Sequence, residues 1–437
     1  MKVAIIGTGY VGLVSGTCFS DFGVDVVCVD KIEEKITKLN SGIMPIYEIG
    51  LKELVSKNVD ENRLSFTTDI KTALKGADAV FIGVGTPPHP EHGHADLKYV
   101  YAAAKEIAEN MDGYTVVVTK STVPVGTGDE VEKIIKETNP NADFDVVSNP
   151  EFLREGNAIG DFMNPDRIVI GTDSVRAKAV MAELYKTLED KGAPVVYTTR
   201  KSSELIKYAA NAFLAVKITY INEIANLCEK VGAKVDDVAK GIGMDNRIGP
   251  KFLQAGPGYG GSCFPKDTLA LSKTAKDCGA PINIVETTIK VNEERKYIML
   301  DKIINACDGE VKGKNIGVLG LAFKQNTDDM RDAISLSIIP ELEKRGAKIT
   351  SYDPQAMEEA KHLLGDKTQY VNNPYSAVDK ADMAIILTEW DEFRNLEMEK
   401  LRNSMNGNIV VDLRNLLDSE KVSEAGLKYH SIGREEV

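Results

Sequence analysis

The first twelve residues place a glycine motif between a strand and a helix, and this feature constrains the fold more than any other. Gly7, Gly9 and Gly12 close the apolar run Lys2–Gly7 with the spacing G-x-G-x-x-G, and Val24–Asp30 is the next apolar run. Strand, glycine turn, helix and strand make a βαβ unit whose backbone amides and helix N-terminus hold a pyrophosphate. The chain is therefore predicted to begin with a dinucleotide-binding domain.

Asp30 ends the second strand, 18 positions after Gly12. An acidic side chain there accepts hydrogen bonds from the adenosine ribose hydroxyls and repels a 2′-phosphate. NAD is therefore predicted over NADP, although Lys35 weakens the preference. The alternative is a tight strand-to-helix turn that binds nothing. The cofactor site predicted from this segment comprises Gly7, Gly9, Tyr10, Val11, Gly12, Asp30 and Lys35.

Further β-branched runs alternate with helical patterns along the first 200 residues, which predicts a parallel sheet covered on both faces. Thr86 follows the fourth strand, and Ser121-Thr122-Val123-Pro124 follows the fifth. Both lie at the carboxyl edge, where open sheets bind ligands, although ordinary strand-ending turns are the alternative. The predicted runs are Ala79–Val84, Thr115–Thr119, Val146–Val147 and Arg167–Ile170, with helices at Leu97–Met111 and Thr127–Thr138.

The pattern changes at residue 201, where a helical stretch without Gly or Pro continues to Val231, and residues 268–277 and 283–306 are also helical. A helix of this length spans domains or forms a subunit interface, so we expect a homodimer or a higher homo-oligomer. The last segment repeats the first: 314–320 matches 2–9, 347–353 matches 24–30, 380–388 matches 76–86, and 407–413 matches 113–119.

These patterns predict an α/β fold in which two Rossmann-like parallel-sheet domains are joined by a helical middle domain built on one long helix. The predicted boundaries are 1–200, 201–310 and 311–437, and the two sheets suggest two nucleotide ligands facing each other across a cleft. A length of 437 residues agrees with a prediction of two to four domains.

The net charge and the cysteine content argue against several classes of function. A net charge of −13 disfavours nucleic acid or an anionic membrane as a partner. No apolar run approaches the ~20 residues of a membrane span, and the first residues lack a secretory signal. The six cysteines include no C-x-x-C pair and no nearby histidine in ligand spacing, which argues against a metal. We therefore expect a protein of the cytoplasm.

Cys263 differs from the other cysteines in its surroundings. It follows a glycine-rich loop, 256–261, and precedes Lys266 and Asp267. Cys18 falls within the first helix and Cys28 within a strand, so both are predicted to pack as small hydrophobes. A thiol beside charged residues in a loop open to ligands suits an activated nucleophile.

Over nearly its whole length, the sequence resembles the UDP-glucose/GDP-mannose dehydrogenase family. Segments 165–171 and 246–253 are more similar to the UDP-glucose enzymes than to the GDP-mannose enzymes, and members acting on UDP-N-acetylmannosamine typically differ at 149–156. The matching motifs span nearly the whole chain in family order: Gly7–Gly12, Ser121–Gly126, Asn149–Gly156, Glu204–Leu214, Gly260–Asp267 and Leu321–Lys324.

The resemblance implies NAD-dependent oxidation of a nucleotide sugar by four electrons, most closely UDP-glucose to UDP-glucuronate, through a thiohemiacetal and a thioester on Cys263. The implied catalytic residues are Cys263, Lys207, Asn211, Asp267, Thr122 and Glu151. The implied further cofactor contacts are Thr86, Thr122, Glu155, Lys266 and Arg331. The implied substrate contacts are Glu151, Phe152, Leu153, Lys207, Asn211, Arg247, Phe252, Leu253, Tyr259, Gly260, Lys324 and Arg414.

For some of these residues, the sequence also allows an explanation other than a role in the active site. Lys207 and Asn211 share a helix face, which elsewhere would be a solvated face. Arg247 is supplied across a dimer in family members, and Arg414 follows Leu413, where glycine is common. Which carboxylate accepts the proton depends on burial, which a sequence does not contain. The loop of the second sheet lacks the third glycine but carries Lys324, which suits a UDP sugar better than NAD.

Three other functions remain open at this stage. The same chemistry on a UDP-N-acetylhexosamine or on GDP-mannose would use the same residues. A hydroxyacid or sugar-phosphate dehydrogenase would transfer a single hydride and would need no thiol. An NAD-binding regulatory protein would need neither Cys263 nor Lys207, and fold alone does not decide function.

Overall fold

The computed structural model describes residues 1–87 and 95–434. The chain divides into two compact units, Met1–Ala210 and Asn211–Val437, and the boundary falls inside one long helix, Arg200–Val231. This helix begins one residue before the predicted start at Lys201. The division of the sequence into three domains, at residues 200 and 310, stays a prediction.

One sheet forms the centre of the first unit. Its described strands are β1 (Lys2–Ile6), β2 (Asp25–Val29), β3 (Leu64–Thr67), β4 (Ala79–Ile82), β5 (Thr115–Thr119), β6 (Phe144–Ser148), β7 (Ile168–Gly171) and β8 (Val195–Thr198). They lie in the order β3-β2-β1-β4-β5-β6-β7-β8. Two strands, β3 and β8, have no counterpart among the predicted runs. Both lie at an edge of the sheet, and the residues of β8 are half-buried or exposed.

Helices cover both faces of this sheet. The helices are α1 (Tyr10–Asp21), α2 (Glu33–Asn40), α3 (Leu51–Asp60), α4 (Ile70–Leu74), α5 (Lys98–Asn110), α6 (Thr127–Thr138), α7 (Ala158–Met163), α8 (Val175–Asp190) and the first part of α9 (Arg200–Val231). Val3 and Ile5 of β1 enter one hydrophobic core, whereas Ala4 and Ile6 enter another. Side chains alternate between the faces of a strand, so this β1 pattern confirms the predicted two-sided burial.

The sheet departs from a purely parallel arrangement at one place. β7 pairs with β6 in the antiparallel direction, through Ser148 and Gly171, whereas the other neighbouring pairs run parallel. An antiparallel neighbour begins at the edge where the previous strand ends. The segment 149–167 therefore stays at the carboxyl edge of the sheet, where ligands of such folds bind.

The second unit contains another sheet, and all of its described strand pairs are parallel. The strands are β9 (Asn315–Leu319), β10 (Lys348–Tyr352), β11 (Gln369–Tyr370), β12 (Met383–Ile386), β13 (Ile409–Asp412) and β14 (Lys428–His430). Their order, β11-β10-β9-β12-β13-β14, repeats the order of β3-β2-β1-β4-β5-β6. The predicted second sheet and the internal repeat are confirmed.

Helices of the predicted middle segment join the core of the second unit. Ile221 of α9 and Ile303 are buried in the same cluster as Val318 of β9. The remaining helices are α10 (Val235–Gly243), α11 (Phe264–Asp277), α12 (Asn283–Ala306), α13 (Ser335–Lys344), α14 (Met357–Leu364), α15 (Pro374–Ala377), α16 (Asp391–Arg394), α17 (Met398–Ser404) and α18 (Ser419–Glu424), with one 3-10 turn at Gly365–Lys367. No helix in the described part of the chain is long and apolar enough to cross a membrane.

Candidate active site

The glycine turn after β1 has the geometry that a bound pyrophosphate needs. A Cβ atom on Gly12 would lie 2.0 Å from the Gly7 carbonyl oxygen, and Gly7 has a φ of +102°, so both positions require glycine. Among the residues that the structure describes, a Cβ atom on Gly9 would have no neighbour within 4 Å. Packing therefore does not explain Gly9, and the space above it is open to a ligand at the N-terminus of α1.

Asp30 stands at the end of β2 beside this turn. Its carboxylate accepts hydrogen bonds from the Thr8 amide at 3.1 Å, the Thr8 hydroxyl at 2.8 Å and the Ile32 amide at 3.1 Å. Lys35 Nζ lies 3.8 Å away. Partial burial favours a higher pKa, but the hydrogen bonds from Ile32 and Thr8 outweigh it and lower the pKa of Asp30. The side chain is therefore an anion at neutral pH.

Thr86 and Thr122 meet at the carboxyl ends of β4 and β5. The Thr86 hydroxyl donates to the Thr122 carbonyl oxygen at 3.0 Å, and both residues are buried. Ser121 donates its hydroxyl to the Val84 carbonyl oxygen at 2.6 Å. The structure therefore brings together the two strand-end turns that were predicted to border the cofactor.

Tyr10 links the glycine turn to the segment after β6 through Glu48, a residue that was not predicted from the sequence. Its hydroxyl contacts the carboxylate of buried Glu48, which also accepts the amides of Gly156 and Ala158, each at 2.7 Å. Burial and then Glu48 raise the pKa of Tyr10. Glu155, predicted as a cofactor contact, lies within electrostatic range of the same hydroxyl. Glu48 falls in a loop without periodic pattern, so no sequence signal indicated it.

Glu151 and Lys207 form a buried ion pair with an Nζ to Oε1 distance of 3.1 Å. The second carboxylate oxygen of Glu151 accepts the Leu153 amide at 2.6 Å. The Phe152 ring is close to two cations: its centroid is 5.3 Å from Lys207 Nζ and 3.5 Å from the Arg167 guanidinium carbon. The predicted substrate residues of this loop are therefore gathered around Lys207, and Arg167 joins them.

Lys120 is a second residue that the sequence analysis missed. It is buried directly after β5, and its Nζ donates to Asn149 Oδ1 and to the Tyr185 hydroxyl, each at 3.0 Å. Burial lowers the pKa of Lys120 to about 7. A lysine directly after the apolar run Thr115–Thr119, and before Ser121 and Thr122, was the available signal.

The second unit holds another group of predicted catalytic residues. Asn211 donates its side-chain amide to Asp267 Oδ2 at 2.6 Å, and Lys266 Nζ lies 2.6 Å from Asp267 Oδ1. Asn211 and Asp267 are buried. Lys266, predicted as a cofactor contact, is thus the ion-pair partner of Asp267. Asn211 stands four positions after Lys207 in α9.

Cys263 occupies the N-terminal end of α11, one turn before Asp267. It is half-buried, its Sγ lies 3.4 Å from the Ser262 hydroxyl, and its carbonyl accepts the Asp267 amide at 2.8 Å. A helix N-terminus stabilises negative charge and hence a thiolate. Burial instead raises the pKa of Cys28 to about 12, and Cys18, Cys228 and Cys307 are also buried.

The glycine loop before Cys263 packs closely against the segment that follows β9. A Cβ atom on Gly260 would lie 2.3 Å from the Asp332 carbonyl oxygen, and one on Gly261 would lie 2.6 Å from the Phe323 ring. The Gly261 amide donates to the Arg331 carbonyl at 2.8 Å. These glycines are therefore needed for the close approach of two backbone segments.

Buried polar side chains of α9 and α12 hold the start of this loop. Arg295 Nε donates to the Gly256 carbonyl at 2.6 Å, and the Asn292 side chain exchanges hydrogen bonds with the Tyr259 backbone at 2.9 and 3.1 Å. The Gly256 amide donates to Asn222 Oδ1 at 2.9 Å. Helical periodicity alone gave no reason to separate these three residues from ordinary core or surface positions.

Three predicted substrate residues of the second unit line one small pocket. Tyr259, Gly260 and Arg414 border it together with Phe323. Arg414 donates to the carbonyl oxygens of Leu387 at 2.7 Å and Phe323 at 2.6 Å. Lys324 Nζ lies 5.4 Å from the centre of the Phe323 ring.

Other predicted contacts lie elsewhere in this unit. The Arg247 side chain is 89% exposed and pairs with Asp245 at 2.6 Å, and Arg331 is 65% exposed and pairs with Asp329 at 2.8 Å. Leu253 is buried in the core. Phe252 has a φ of +65°, and its ring lies 6.1 Å from that of Phe264. The structure does not bring Arg247 or Arg331 to the pocket.

Comparison with known families matches three consecutive parts of the chain to one family. Residues 1–189 match the NAD binding domain of the UDP-glucose/GDP-mannose dehydrogenase family, residues 201–294 match its central domain, and residues 317–419 match its UDP binding domain.

Individual proteins are similar over nearly the whole length. The UDP-glucose 6-dehydrogenase of Rhizobium meliloti (strain 1021) is 60% identical over 99% of this chain and 100% of its own. The UDP-glucose 6-dehydrogenase TuaD of Bacillus subtilis (strain 168) is 52% identical over 99% and 93%. A solved UDP-glucose dehydrogenase from the archaeon Pyrobaculum islandicum superimposes with a TM-score of 0.90 at 38% identity, covering 98% of this chain and 96% of that one.

Proposed function

The chain belongs to the UDP-glucose/GDP-mannose dehydrogenase family, and from that premise we propose that Cys263 is the nucleophile of its reaction. The enzyme oxidises UDP-glucose to UDP-glucuronate with NAD as the oxidant. The observation that carries the covalent route is the position of Cys263: a half-buried thiol at the N-terminus of α11, one turn before buried Asp267.

The residues of the first unit fit NAD. Gly9 leaves open space above the N-terminus of α1, and ionised Asp30 stands at the end of β2 as a partner for ribose hydroxyls. When bound, NAD accepts a hydride from the sugar carbon. Conversion of CH2OH to a carboxylate consumes two NAD and one water, and releases two NADH and three protons.

Cys263 prevents loss of the intermediate between the two oxidations. After the first hydride has left, the thiolate adds to the aldehyde carbon and forms a thiohemiacetal. Loss of the second hydride converts this adduct to a thioester. Water then adds to the thioester carbon, the C–S bond breaks, and the carboxylate leaves while the thiol is regenerated.

Lys207 and Asn211 are assigned to the oxyanion. They stand one turn apart on α9, so both side chains project from the same face of that helix. Glu151 holds the Lys207 ammonium by an ion pair, and Asp267 accepts the Asn211 amide, so each donor has a fixed orientation. An ammonium and an amide N–H that are held in advance stabilise a developing alkoxide strongly.

Glu151 and Asp267 are the carboxylates assigned to the water, together with the hydroxyl of Thr122. Both carboxylates are held by two donors. We assign proton acceptance to Glu151, because the contact of its Oε1 with Lys207, at 3.1 Å, is longer than the two contacts of 2.6 Å that Asp267 makes with Asn211 and Lys266. Glu155 and Arg331 remain assigned to the cofactor by family resemblance.

For the nucleotide sugar, the family resemblance assigns Phe152 and Leu153 in the first unit and the loop around Lys324 and Arg414 in the second. Tyr259, Gly260 and Arg414 lie around Phe323, the residue before Lys324, which agrees with the second assignment. Arg247, Phe252 and Leu253 are carried over from the family in the same way. The exposure of Arg247 agrees with a role toward a ligand or a second subunit.

An NADH-release assay tests this function. UDP-glucose, UDP-N-acetylglucosamine, UDP-N-acetylmannosamine and GDP-mannose are compared as substrates, and NADH is counted against carboxylate formed. We expect UDP-glucose to give the highest kcat/KM and two NADH for each UDP-glucuronate. One NADH with an aldehyde or ketone product would instead support a single-hydride dehydrogenase.

A homodimer through α9 is proposed from an exposed apolar row. Phe213, Tyr220 and Leu227 are 64%, 52% and 55% exposed and recur every seven positions, which places them on one side of the helix. Such rows mark subunit contacts in proteins that are otherwise polar outside. Tyr220→Glu should lower the mass measured by light scattering to that of one chain, whereas Leu363→Glu, at an exposed side chain of α14, should not.

The three-domain organisation and the cytoplasmic location are part of the same proposal. Matches to separate family domains at 1–189, 201–294 and 317–419 support boundaries near residues 200 and 310. Cleavage by a protease at those boundaries would test them. All six cysteines are free thiols, which supports a reducing compartment such as the cytoplasm.

A further inference from the structure

Asp353 follows β10 at the position that Asp30 occupies after β2 in the first sheet. β10 lies beside β9 as β2 lies beside β1. In each sheet, the amide of the glycine after the first strand donates to the carbonyl just before the acidic residue, at 2.8 Å from Gly320 and 2.7 Å from Gly7. The two acidic residues are therefore equivalent in the internal repeat. In a dinucleotide-binding domain, this residue binds the ribose.

The carboxylate of Asp353 is occupied by the protein itself. A carboxylate offers about four lone-pair sites to donors. Among the residues that the structure describes, five N–H groups donate to Asp353: the amides of Leu321 at 2.7 Å, Ala322 at 3.1 Å, Gln355 at 2.8 Å and Ala356 at 2.8 Å, and the indole of Trp390 at 3.0 Å. Asp353 is 1% exposed, whereas Asp30 is partly exposed. Asp353 therefore has no acceptor site left for a ribose hydroxyl.

Two of these donors, Leu321 and Ala322, form the turn that leads to Lys324. Their carbonyl groups are held as well as their amides. The Ser335 hydroxyl donates to the Leu321 carbonyl and the Thr388 hydroxyl donates to the Ala322 carbonyl, each at 2.6 Å. Each backbone polar group of this two-residue turn thus has a side-chain partner, and the backbone that leads to Lys324 is fixed.

Phe323 lies between this turn and Lys324, and it is held in the same way. Its amide donates to the Asp329 carbonyl at 3.1 Å, and its carbonyl accepts the Arg414 guanidinium at 2.6 Å. Lys324 and Arg414 are the two cations assigned to the nucleotide sugar in this unit. Both are therefore attached to a backbone segment that Asp353 anchors. A binding group acts well only when supporting contacts fix its position.

We propose that Asp353 is a positioning residue of the nucleotide-sugar site, whose carboxylate fixes the turn Leu321–Lys324 and does not bind a ribose as Asp30 does. The inference rests on the proposed function, in which Lys324 and Arg414 bind the sugar nucleotide. Asp353 does not touch the ligand. It acts through the turn, which has its binding conformation before the ligand arrives.

The first test is the steady-state kinetics of Asp353→Asn. An amide has one accepting oxygen in place of two, so it cannot serve both groups of N–H donors and the turn loosens. We expect the KM for UDP-glucose to rise about tenfold and the KM for NAD to stay within about twofold, because NAD binds to the first unit. Asp379→Asn, at an exposed carboxylate before β12, should match the wild type. Unchanged KM values, or equal increases in both, would overturn the inference.

A double variant shows whether Asp353 acts through Lys324. In the Lys324→Ala background, Asp353→Asn should raise the KM for UDP-glucose by a smaller factor than in the wild type, because the group that it would misplace is already absent. The same factor in both backgrounds would mean that the two residues act independently, and the inference would fail.

Hydrogen exchange of the wild type tests the same point without a substitution, and it decides the question if Asp353→Asn fails to fold. Exchange of the peptide 319–324 is measured by mass spectrometry with and without UDP. The Leu321 and Ala322 amides should exchange slowly in the free enzyme and slow little further with UDP, since both already have an acceptor. Fast exchange that slows only when UDP is bound would contradict a turn that is fixed in advance.

Failure of the proposed function would look different. If Lys324→Ala left the KM for UDP-glucose unchanged, the assignment of the second sheet to the nucleotide sugar would be wrong, whatever the result for Asp353. Absence of NADH release by the wild type with every nucleotide sugar would overturn the proposed reaction itself.

Discussion

Glu151 and Lys207 are joined by an ion pair of 3.1 Å although their side chains are only 6% and 4% exposed. One residue follows β6 and the other lies in α9, and both belong to the first unit. Burial of two charges is costly unless they neutralise each other, and removal of one partner leaves the other unpaired. This pair is therefore a sensitive place to test the proposed chemistry.

Glu151→Gln should lower kcat by about 100-fold, because an amide has no basic oxygen that can take a proton from water. The KM for NAD should change little. Steady-state kinetics checks both values, and Glu130→Gln, on the exposed side of α6, is the control. A kcat within threefold of the wild type would transfer the proton-accepting role to another group.

Cys263→Ser should abolish steady turnover and retain a covalently bound sugar, because an oxygen ester hydrolyses far less readily than a thioester. Intact-protein mass spectrometry after incubation with UDP-glucose and NAD measures the adduct. Cys278→Ser replaces an exposed thiol and should remain fully active. Full activity of the Cys263 variant would eliminate the covalent route.

Asp30→Ala should raise the KM for NAD by about tenfold, since a charge-assisted hydrogen bond to the ribose is lost. Activity with NADP should rise relative to NAD, because the carboxylate no longer opposes a 2′-phosphate. Asp25→Ala changes an exposed carboxylate of the same strand and serves as the control. Equal use of NAD and NADP by the wild type would disprove this role of Asp30.

Lys324→Ala should raise the KM for UDP-glucose much more than the KM for NAD, because Lys324 is assigned to the diphosphate of the sugar nucleotide. Misplacement of the sugar should also lower kcat. The comparison of both KM values with those of Lys344→Ala, which changes an exposed side chain at the end of α13, measures the effect. A change confined to the KM for NAD would mean that the second sheet has been assigned to the wrong ligand.

Lys120→Met should remove a pH dependence of stability. The pKa of Lys120 falls from 10.5 to about 7 on folding, so the folded chain binds fewer protons than the unfolded chain between these values. The free energy of unfolding of the wild type should therefore rise with pH across that window, by at most about 1.4 kcal/mol per pH unit. Below pH 7 the wild type carries the full cost of the buried charge. Urea unfolding at pH 7 and 9 measures the slope, which should be smaller in the variant.

Much of the fold followed from local pattern. The ends of β5 and α12 agree with the sequence prediction to the residue, because apolar periodicity and the positions of Gly and Pro act over a few neighbouring residues. The repeat of the first sheet's segments in the second sheet was likewise visible in the sequence, whereas the order of the strands came from the structure. The antiparallel entry of β7 was not, since a short apolar run contains no information on strand direction.

The residues of the candidate site differ in the same way: some were predictable from local pattern and others were not. Gly7, Gly12 and Asp30 carry a spacing that has a physical reason, and the structure gives each a matching geometry. The catalytic assignments of Lys207, Asn211 and Asp267 came from family motifs, whereas Cys263 was also indicated by the glycine loop before it. All of them stay predictions. Glu48 and Lys120 had no such motif, and each is an ordinary charged residue until its partners are known.

The sequence by itself therefore determined the strands and helices that make the two sheets, the long helix and the cofactor turn, because each of these elements follows from a pattern of residues close together in the chain. The tertiary structure alone decided which charges are buried and what they meet. Glu48 reaches Ala158 across 110 positions, and Lys120 reaches Tyr185 across 65. The charge state of a side chain depends on burial and on the groups around it, and both exist only after distant segments have packed together.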